Sequence, residues 1–286
     1  MYGKKKKRRI DILVLSDIHL GTFGCNAKEL LQYLKSVKPK KVILNGDIID
    51  IWQFKKRYFP KSHMKIVKHI FGWVSNGVEV VYITGNHDEM LRKFVGFSKG
   101  KLSIENKLVV ELDDKKAWFF RGDVFDVTME HSKWLAKLGA VGYDFLIMIN
   151  YIVNRGCELL GKEKLSLSKR IKDKVKGAVK FINNFEKTVT DIAMEKGYDY
   201  VVCGHIHQPL IKEFANENGD KTIYLNSGDW IENLTALEYT DAEWSLYKYK
   251  SEDFMHSKES QEVELYDTTE KTSKELFEGL LQEFNI

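Results

Sequence analysis

Through the first third of the chain, short apolar runs closed by polar or glycine-containing clusters alternate with stretches of helical spacing. Ile10–Ser16, Lys41–Asn45 and Glu79–Thr84 are brief and rich in β-branched residues, and they read as buried strands. Between them, Ala27–Val37 and His63–Val74 repeat apolar residues three and four apart, which predicts two amphipathic helices. The βαβαβ order predicts a sheet with helices packed on its faces.

Further on the pattern changes. Leu108–Leu112 and Ala117–Phe120 flank Asp113-Asp114-Lys115-Lys116 and predict a hairpin. From about His131 to Lys196 there is no strand signal. Trp134, Leu135 and Leu138 fit one helix, Tyr143–Leu160 a second and Leu167–Asn184 a third, so 131–196 reads as a helical cap insertion. Strand signals return at Tyr200–Cys203, Leu210–Phe214, Thr222–Asn226, Leu234–Tyr239 and Glu243–Tyr249, with Asn218-Gly219 at a turn. The division expected is a main domain over 10–250, a basic tail over 1–9 and a charged extension over 251–286.

Composition narrows the class. A hydrophobic content of 43% over 286 residues supplies a sizeable core, and 30% charged residues with few prolines exclude fibrous and disordered classes. Cys25, Cys157 and Cys203 form no C-x-x-C pair, so a reducing compartment is expected, with Cys203 a buried core residue. The basic run Lys4–Arg9 precedes no long apolar region and is not a secretory signal. Tyr143–Val153, interrupted by Asp144 and Asn150, falls well short of the ~20 apolar residues of a membrane-spanning helix. A cytoplasmic protein is expected, either with a solvated tail or peripheral on the anionic inner membrane surface. The net charge of +4 lies largely in that tail, and without a recognition motif beside it no nucleic-acid partner is expected.

The chemistry-bearing residues follow the predicted strands. Asp17-Ile18-His19 follows the first, Gly46-Asp47 the second, Gly85-Asn86-His87-Asp88 the third and Gly204-His205-Ile206-His207 the first strand after the insertion. Ligands of α/β sheets bind beyond the carboxyl ends of the strands, so four segments would deliver carboxylates, an amide oxygen and imidazoles to one edge. Those donors suit a pair of divalent cations, Mn, Fe, Zn or Co over Ca, with one Asp able to bridge. Alternation along an extended segment would aim Asp17 and His19, and likewise His205 and His207, the same way. The glycines before Asp47, Asn86 and His205 would allow close approach of backbone and substrate.

These four clusters together resemble the motif set of the calcineurin-like metallophosphoesterase superfamily. Leu15-Ser16-Asp17-Ile18-His19-Leu20-Gly21, Arg121-Gly122-Asp123-Val124-Phe125-Asp126, Ser166-Leu167-Ser168 and Asn226-Ser227-Gly228-Asp229-Trp230 resemble its UDP-2,3-diacylglucosamine diphosphatase-like branch. The resemblance implies an α/β fold built as a four-layer α/β/β/α sandwich, with a dimetal site between the sheets. Asp17, His19, Asp47 and His207 would hold one ion, and Asp47, Asn86 and His205 the other. Manganese is the leading candidate, with Zn, Fe, Co or Mg as alternatives. His87 would assist the leaving group and Asp88 would orient it. The implied reaction cleaves the diphosphate of a lipid-linked nucleotide.

One residue departs from the branch, which reads His-Gly-Asp where this chain has Arg121-Gly122-Asp123. A guanidinium offers no lone pair and cannot replace a ligand histidine. Three consequences stay open: a weak or absent second metal, Asp123 or a water filling the position, or a direct contact from Arg121 to substrate phosphate. Further substrate contacts are expected from Ser166 and Ser168 at a helix start and from Lys172 on the basic face of that helix. The third cluster carries His87 where the best-known diphosphatase of the branch has Arg, which keeps a soluble nucleotide in view as the substrate. A weakly catalytic metal-binding scaffold is the remaining alternative.

Overall fold

The computed structural model describes residues 7–50, 58–125 and 167–254, with the backbone alone given for 167–179. Its first sheet runs in the order β12 (Glu243–Lys248), β11 (Thr235–Thr240), β1 (Arg8–Leu15), β2 (Val37–Asn45), β3 (Glu79–Ile83), β5 (Leu102–Glu105), β4 (Ser98–Lys99). The second runs β6 (Lys107–Leu112), β7 (Lys115–Phe120), β8 (Tyr200–Cys203), β10 (Lys221–Asn226), β9 (Leu210–Ala215). β1, β2, β3 and β5 are mutually parallel, as are β7, β8 and β10.

Residue parity along these strands builds three separate cores. Leu13 and Leu15, Val42 and Leu44, Val80 and Tyr82 face outward to helices α1 (Ala27–Ser36) and α2 (Lys61–Ser75), which bury Leu30, Leu34, Ile66, Ile70 and Trp73 against them. The alternate residues Ile12, Val14, Ile43, Val81 and Ile83 meet Ala117, Phe119, Tyr200, Val202 and Leu225 of the second sheet. On the far side Val201, Cys203 and Tyr224 pack under Phe185, Val189 and Ala193 of α3 (Leu167–Glu195). The result is the four-layer α/β/β/α sandwich. A slip of one residue in any central strand would exchange two cores. Each large aliphatic side chain buried here contributes about 1.5–3 kcal/mol, so the register is fixed.

Several expectations change in detail. β4 and β5 were not read from the sequence, because both are short and stand last in the first sheet, with only partly buried or exposed side chains. The hairpin turn narrows to Asp113-Asp114, both with positive φ, while Lys115 and Lys116 belong to β7. β1 starts at Arg8, whose guanidinium donates both its hydrogen bonds to Glu238 at 2.7 Å, so Arg8 and Arg9 belong to the sheet and not to a tail. α3 continues to Glu195, and its last turns form a layer of the sandwich instead of belonging to a cap. The two earlier cap helices, Cys157, Lys4 to Lys6 and the chain beyond Phe254 lie outside the described residues. Among the described residues no helix is long and apolar enough to cross a membrane.

One buried histidine gives this fold a testable pH dependence. His63 on α2 is 2% exposed and its Nδ1 accepts the Gly21 N–H at 2.9 Å, so the ring is held neutral. Burial pushes its pKa down from 6.5 to about 4. The unfolded chain takes up a proton near 6.5, so the stabilisation is complete above that pH and is lost as pH falls towards 4. The stability advantage of wild type over His63→Gln should shrink by about 2 kcal/mol between pH 7 and pH 5 in denaturant titrations. A constant difference would show that the ring titrates as it does in the unfolded chain.

Candidate metal centre

The parallel registers align the carboxyl ends of β1, β2 and β3, with Leu15 beside Leu44 and Asn45 beside Ile83. The loops beyond stay zipped together: Asp17 N–H donates to Gly46 O, His19 N–H to Asp47 O and Leu20 N–H to Ile48 O. Ser16 and Ser227, 2.6 Å apart through their hydroxyls, and Asn45, whose amide donates to Phe120 O, tie this edge to the second sheet.

Asp17, His19, Asp47, His205 and His207 all have φ between +52° and +71°. The convergence of Asp17 with His19, and of His205 with His207, therefore comes from left-handed turns past the strand ends, not from alternation along an extended segment. Such residues cost on the order of 1–3 kcal/mol each and persist only where surrounding contacts hold them. Gly85 shows the same crowding: a Cβ there would overlap the Asp47 carboxylate and lie 2.7 Å from its backbone N. The close approach is to a carboxylate, where the sequence had suggested substrate.

Asp17 is the hub. It is fully buried, 2.9 Å from His207 Nε2, and its Oδ2 accepts the His205 N–H at 3.2 Å. Burial by itself would raise its pKa, but Arg121 and then His207 outweigh that and hold it well below the usual carboxylate range. His207 also faces Asp229 at 3.5 Å through Nδ1. Burial would lower the His207 pKa, but Asp17 and Asp229 override it and push the value up to about 10. These carboxylates favour the protonated ring, and Nε2 would become a metal ligand by losing that proton. Asp229 is itself fixed by the N–H groups of Ile231, Glu232 and Asn233. It stood in the quoted motifs, but no role was read from its position.

His87 Nδ1 donates to Asp50 Oδ2 at 3.1 Å. That hydrogen bond, outweighing desolvation, raises the His87 pKa. Asp50 was missed from the sequence, although Gly46-Asp47-Ile48-Ile49-Asp50 places it three residues past Asp47 in the same loop. The expected orienting residue, Asp88, does not touch the ring. Its buried carboxylate accepts from Gly85 N–H, Ile48 N–H and the Tyr82 hydroxyl, tying the β2 and β3 loops together. Burial first, and Asp47 second, push its pKa up to about 6.

Arg121 leaves the end of β7 and is 2% exposed. Its Nη1 donates to Asp17 Oδ2 at 3.0 Å, and its Nη2 lies 2.7 Å from Asp17 Oδ1 and also bonds Asp47 Oδ2. The other Asp47 oxygen accepts the His87 N–H at 2.9 Å. Burial would raise the Asp47 pKa, but Arg121 holds it down. Asp123 pairs with Arg92. Ser166 lies outside the described residues, and for Ser168 and Lys172 only the helical backbone is described.

Among the described residues two sets bring three ligand atoms within 4.8 Å of one another: Asp17, His19 and His207, and His19, Asp50 and His87. Carboxylate with imidazoles suits a borderline divalent cation. The fit is supported by His19 Nε2, a buried nitrogen of the residue common to both sets, which has no hydrogen-bond partner among the described residues. Buried polar atoms are otherwise paired almost everywhere in folded proteins. Asp47, Asn86 and His205 fit a second ion poorly, since the fixed Arg121 cation bonded to Asp47 Oδ2 would repel it, and Asp47 Oδ1 also accepts the His87 N–H.

Comparison with known proteins places these residues in context. The family model of calcineurin-like phosphoesterases matches residues 10–209. The UDP-2,3-diacylglucosamine hydrolase of Aliivibrio fischeri is 23% identical over 247 residues, covering 83% of this chain and 98% of its own. That of Photorhabdus laumondii is 22% identical over 250 residues, with the same coverage of both chains. A solved structure of a predicted phosphoesterase from Streptococcus pneumoniae covers 84% of this chain and 88% of its own at 16% identity and a TM-score of 0.34.

Proposed function

The chain belongs to the calcineurin-like phosphoesterase family, and from that premise we propose that it cleaves the diphosphate of UDP-2,3-diacylglucosamine or a closely similar lipid-linked nucleotide. It is a hydrolase, and its family implies divalent metal ions. The observation that carries the substrate reading is the match to relatives of that name, which runs over 83% of this chain and 98% of theirs.

The residues divide the work. Asp17, His19 and His207 would hold a divalent ion, and Asp229 fixes the His207 ring from its other nitrogen. A bound ion supplies a Lewis acid that polarises a phosphoryl oxygen and activates water for attack on phosphorus. His87, kept protonated by Asp50, faces the same space with 40% of its side chain exposed and gives its proton to the oxygen that leaves. Asp88 acts at one remove, by holding the loop that carries Asn86 and His87.

A substrate panel tests the reading. With Mn, Mg, Zn or Co added, release of UMP from the diacylated UDP-sugar should exceed hydrolysis of cyclic nucleotides and p-nitrophenyl phosphate by at least about 100-fold in kcat/KM. The reverse preference would transfer the site to a soluble nucleotide. No hydrolysis of any phosphoester by the metal-loaded chain would leave a scaffold.

A further inference from the structure

We propose that the Arg121 guanidinium stands in for one of the two cations of this family's site, so that the centre takes a single divalent ion. The inference rests on reading the site as a metal centre, but not on the identity of the substrate.

The arginine is built into the site. Its stem passes where neither Gly46 nor Gly204 could carry a side chain: a Cβ on Gly46 would overlap Arg121 Cδ, and one on Gly204 would lie 2.9 Å from Nη1. Its head spans Asp17 and Asp47 together, one donor on each Asp17 oxygen and a shared donor on Asp47. Asp47 is the carboxylate that two ions would share, and Asp17 would belong to the first of them. A guanidinium is always protonated, has no lone pair, and repels a dication placed against it.

Charge and donor supply agree. The guanidinium cancels one of the two charges of Asp17 and Asp47, which favours one dication over two at these carboxylates, while Asp50 is engaged by His87 at 3.1 Å. Both Asp47 oxygens already accept hydrogen bonds, Oδ2 from Arg121 and Oδ1 from the His87 N–H at 2.9 Å, so a bridging ion would compete with a fixed cation for that carboxylate. The other convergent set, His19, Asp50 and His87, shares His19 with the first. A neutral imidazole has one lone pair, so His19 serves one set at a time. A further consequence is that Asp17 and Asp47 keep their positions without any metal, since their mutual repulsion is already neutralised.

The test is a Mn(II) titration of the chelator-stripped full chain, read by bound metal per chain and by the electron paramagnetic resonance of the loaded protein. Wild type should bind one ion and give the hyperfine sextet of an isolated Mn(II). Arg121→His should bind two and give an exchange-coupled spectrum. Two ions per wild-type chain, or a coupled spectrum from it, overturns the proposal and leaves the metal-centre reading standing. Absence of any bound ion in wild type overturns both. A folded Arg121→His chain that still holds one ion also overturns it. If that variant fails to fold, the wild-type spectrum alone decides.

Discussion

Asp17→Ala is expected to abolish turnover and to lower the stability of the metal-free protein by about 3–5 kcal/mol. The two effects have one origin. Asp17 holds Arg121 through both of its oxygens, His207 at 2.9 Å and the His205 N–H at 3.2 Å, and the Asp17–Arg121 pair itself is buried. Its removal takes the proposed metal ligand and leaves the buried guanidinium with Asp47 as its remaining direct carboxylate partner among the described residues. Breaking one side of a buried ion pair costs several kcal/mol, whereas replacing both sides by apolar groups is often nearly neutral. The double variant Asp17→Ala/Arg121→Met should therefore recover most of the stability and none of the activity. Denaturant unfolding and a hydrolysis assay on the same preparations check both parts. Full stability in the single variant would show that the Arg121 contacts contribute little, and retained turnover would remove Asp17 from the metal centre.

Asp50→Asn is expected to cut kcat by about 10²–10³ with little change in KM, and to move the alkaline limb of the pH profile to lower pH. The hydrogen bond from Asp50 is the largest of the influences that raise the His87 pKa. An acid must carry its proton to act, so activity is lost as pH rises through that pKa. Without the carboxylate the imidazolium gives up its proton earlier, and the limb shifts down. His87→Gln should match the loss in kcat and abolish the limb. Asp88→Asn makes a useful contrast, because Asp88 touches the loop and not the ring. It should lower activity without moving the limb. An unmoved limb in Asp50→Asn would take the proton-donor role away from the His87–Asp50 pair.

Much of this was legible in the chain because it depends on local pattern. The β-branched runs and the three-and-four spacing predict the central strands and α1 and α2, since both periodicities follow from backbone geometry. The clusters Asp17–His19, Asp47, Asn86–His87 and His205–His207 sit at strand ends, and parallel strands bring their carboxyl ends to one edge whatever lies between them. The short strands β4 and β5, the last two of the first sheet, escaped because marginal burial leaves almost no hydrophobic signal. The extent of α3 escaped for another reason: a helix face that covers a sheet has the same period as one that packs inside a cap.

The partners of the charged groups were beyond the sequence altogether. The choice between Asp50 and Asp88 for His87 turns on which way a loop carries its side chains, and adjacency favoured the wrong one. Residue type alone showed that Arg121 cannot be a ligand; only folding showed that it lies buried across Asp17 and Asp47, residues 104 and 74 positions away in the chain. Periodicity fixes which face of an element is apolar, because that is a property of neighbouring residues. Pairing of buried charges is decided by distances of a few ångströms between segments far apart in sequence, and those distances exist only once the sheets have packed.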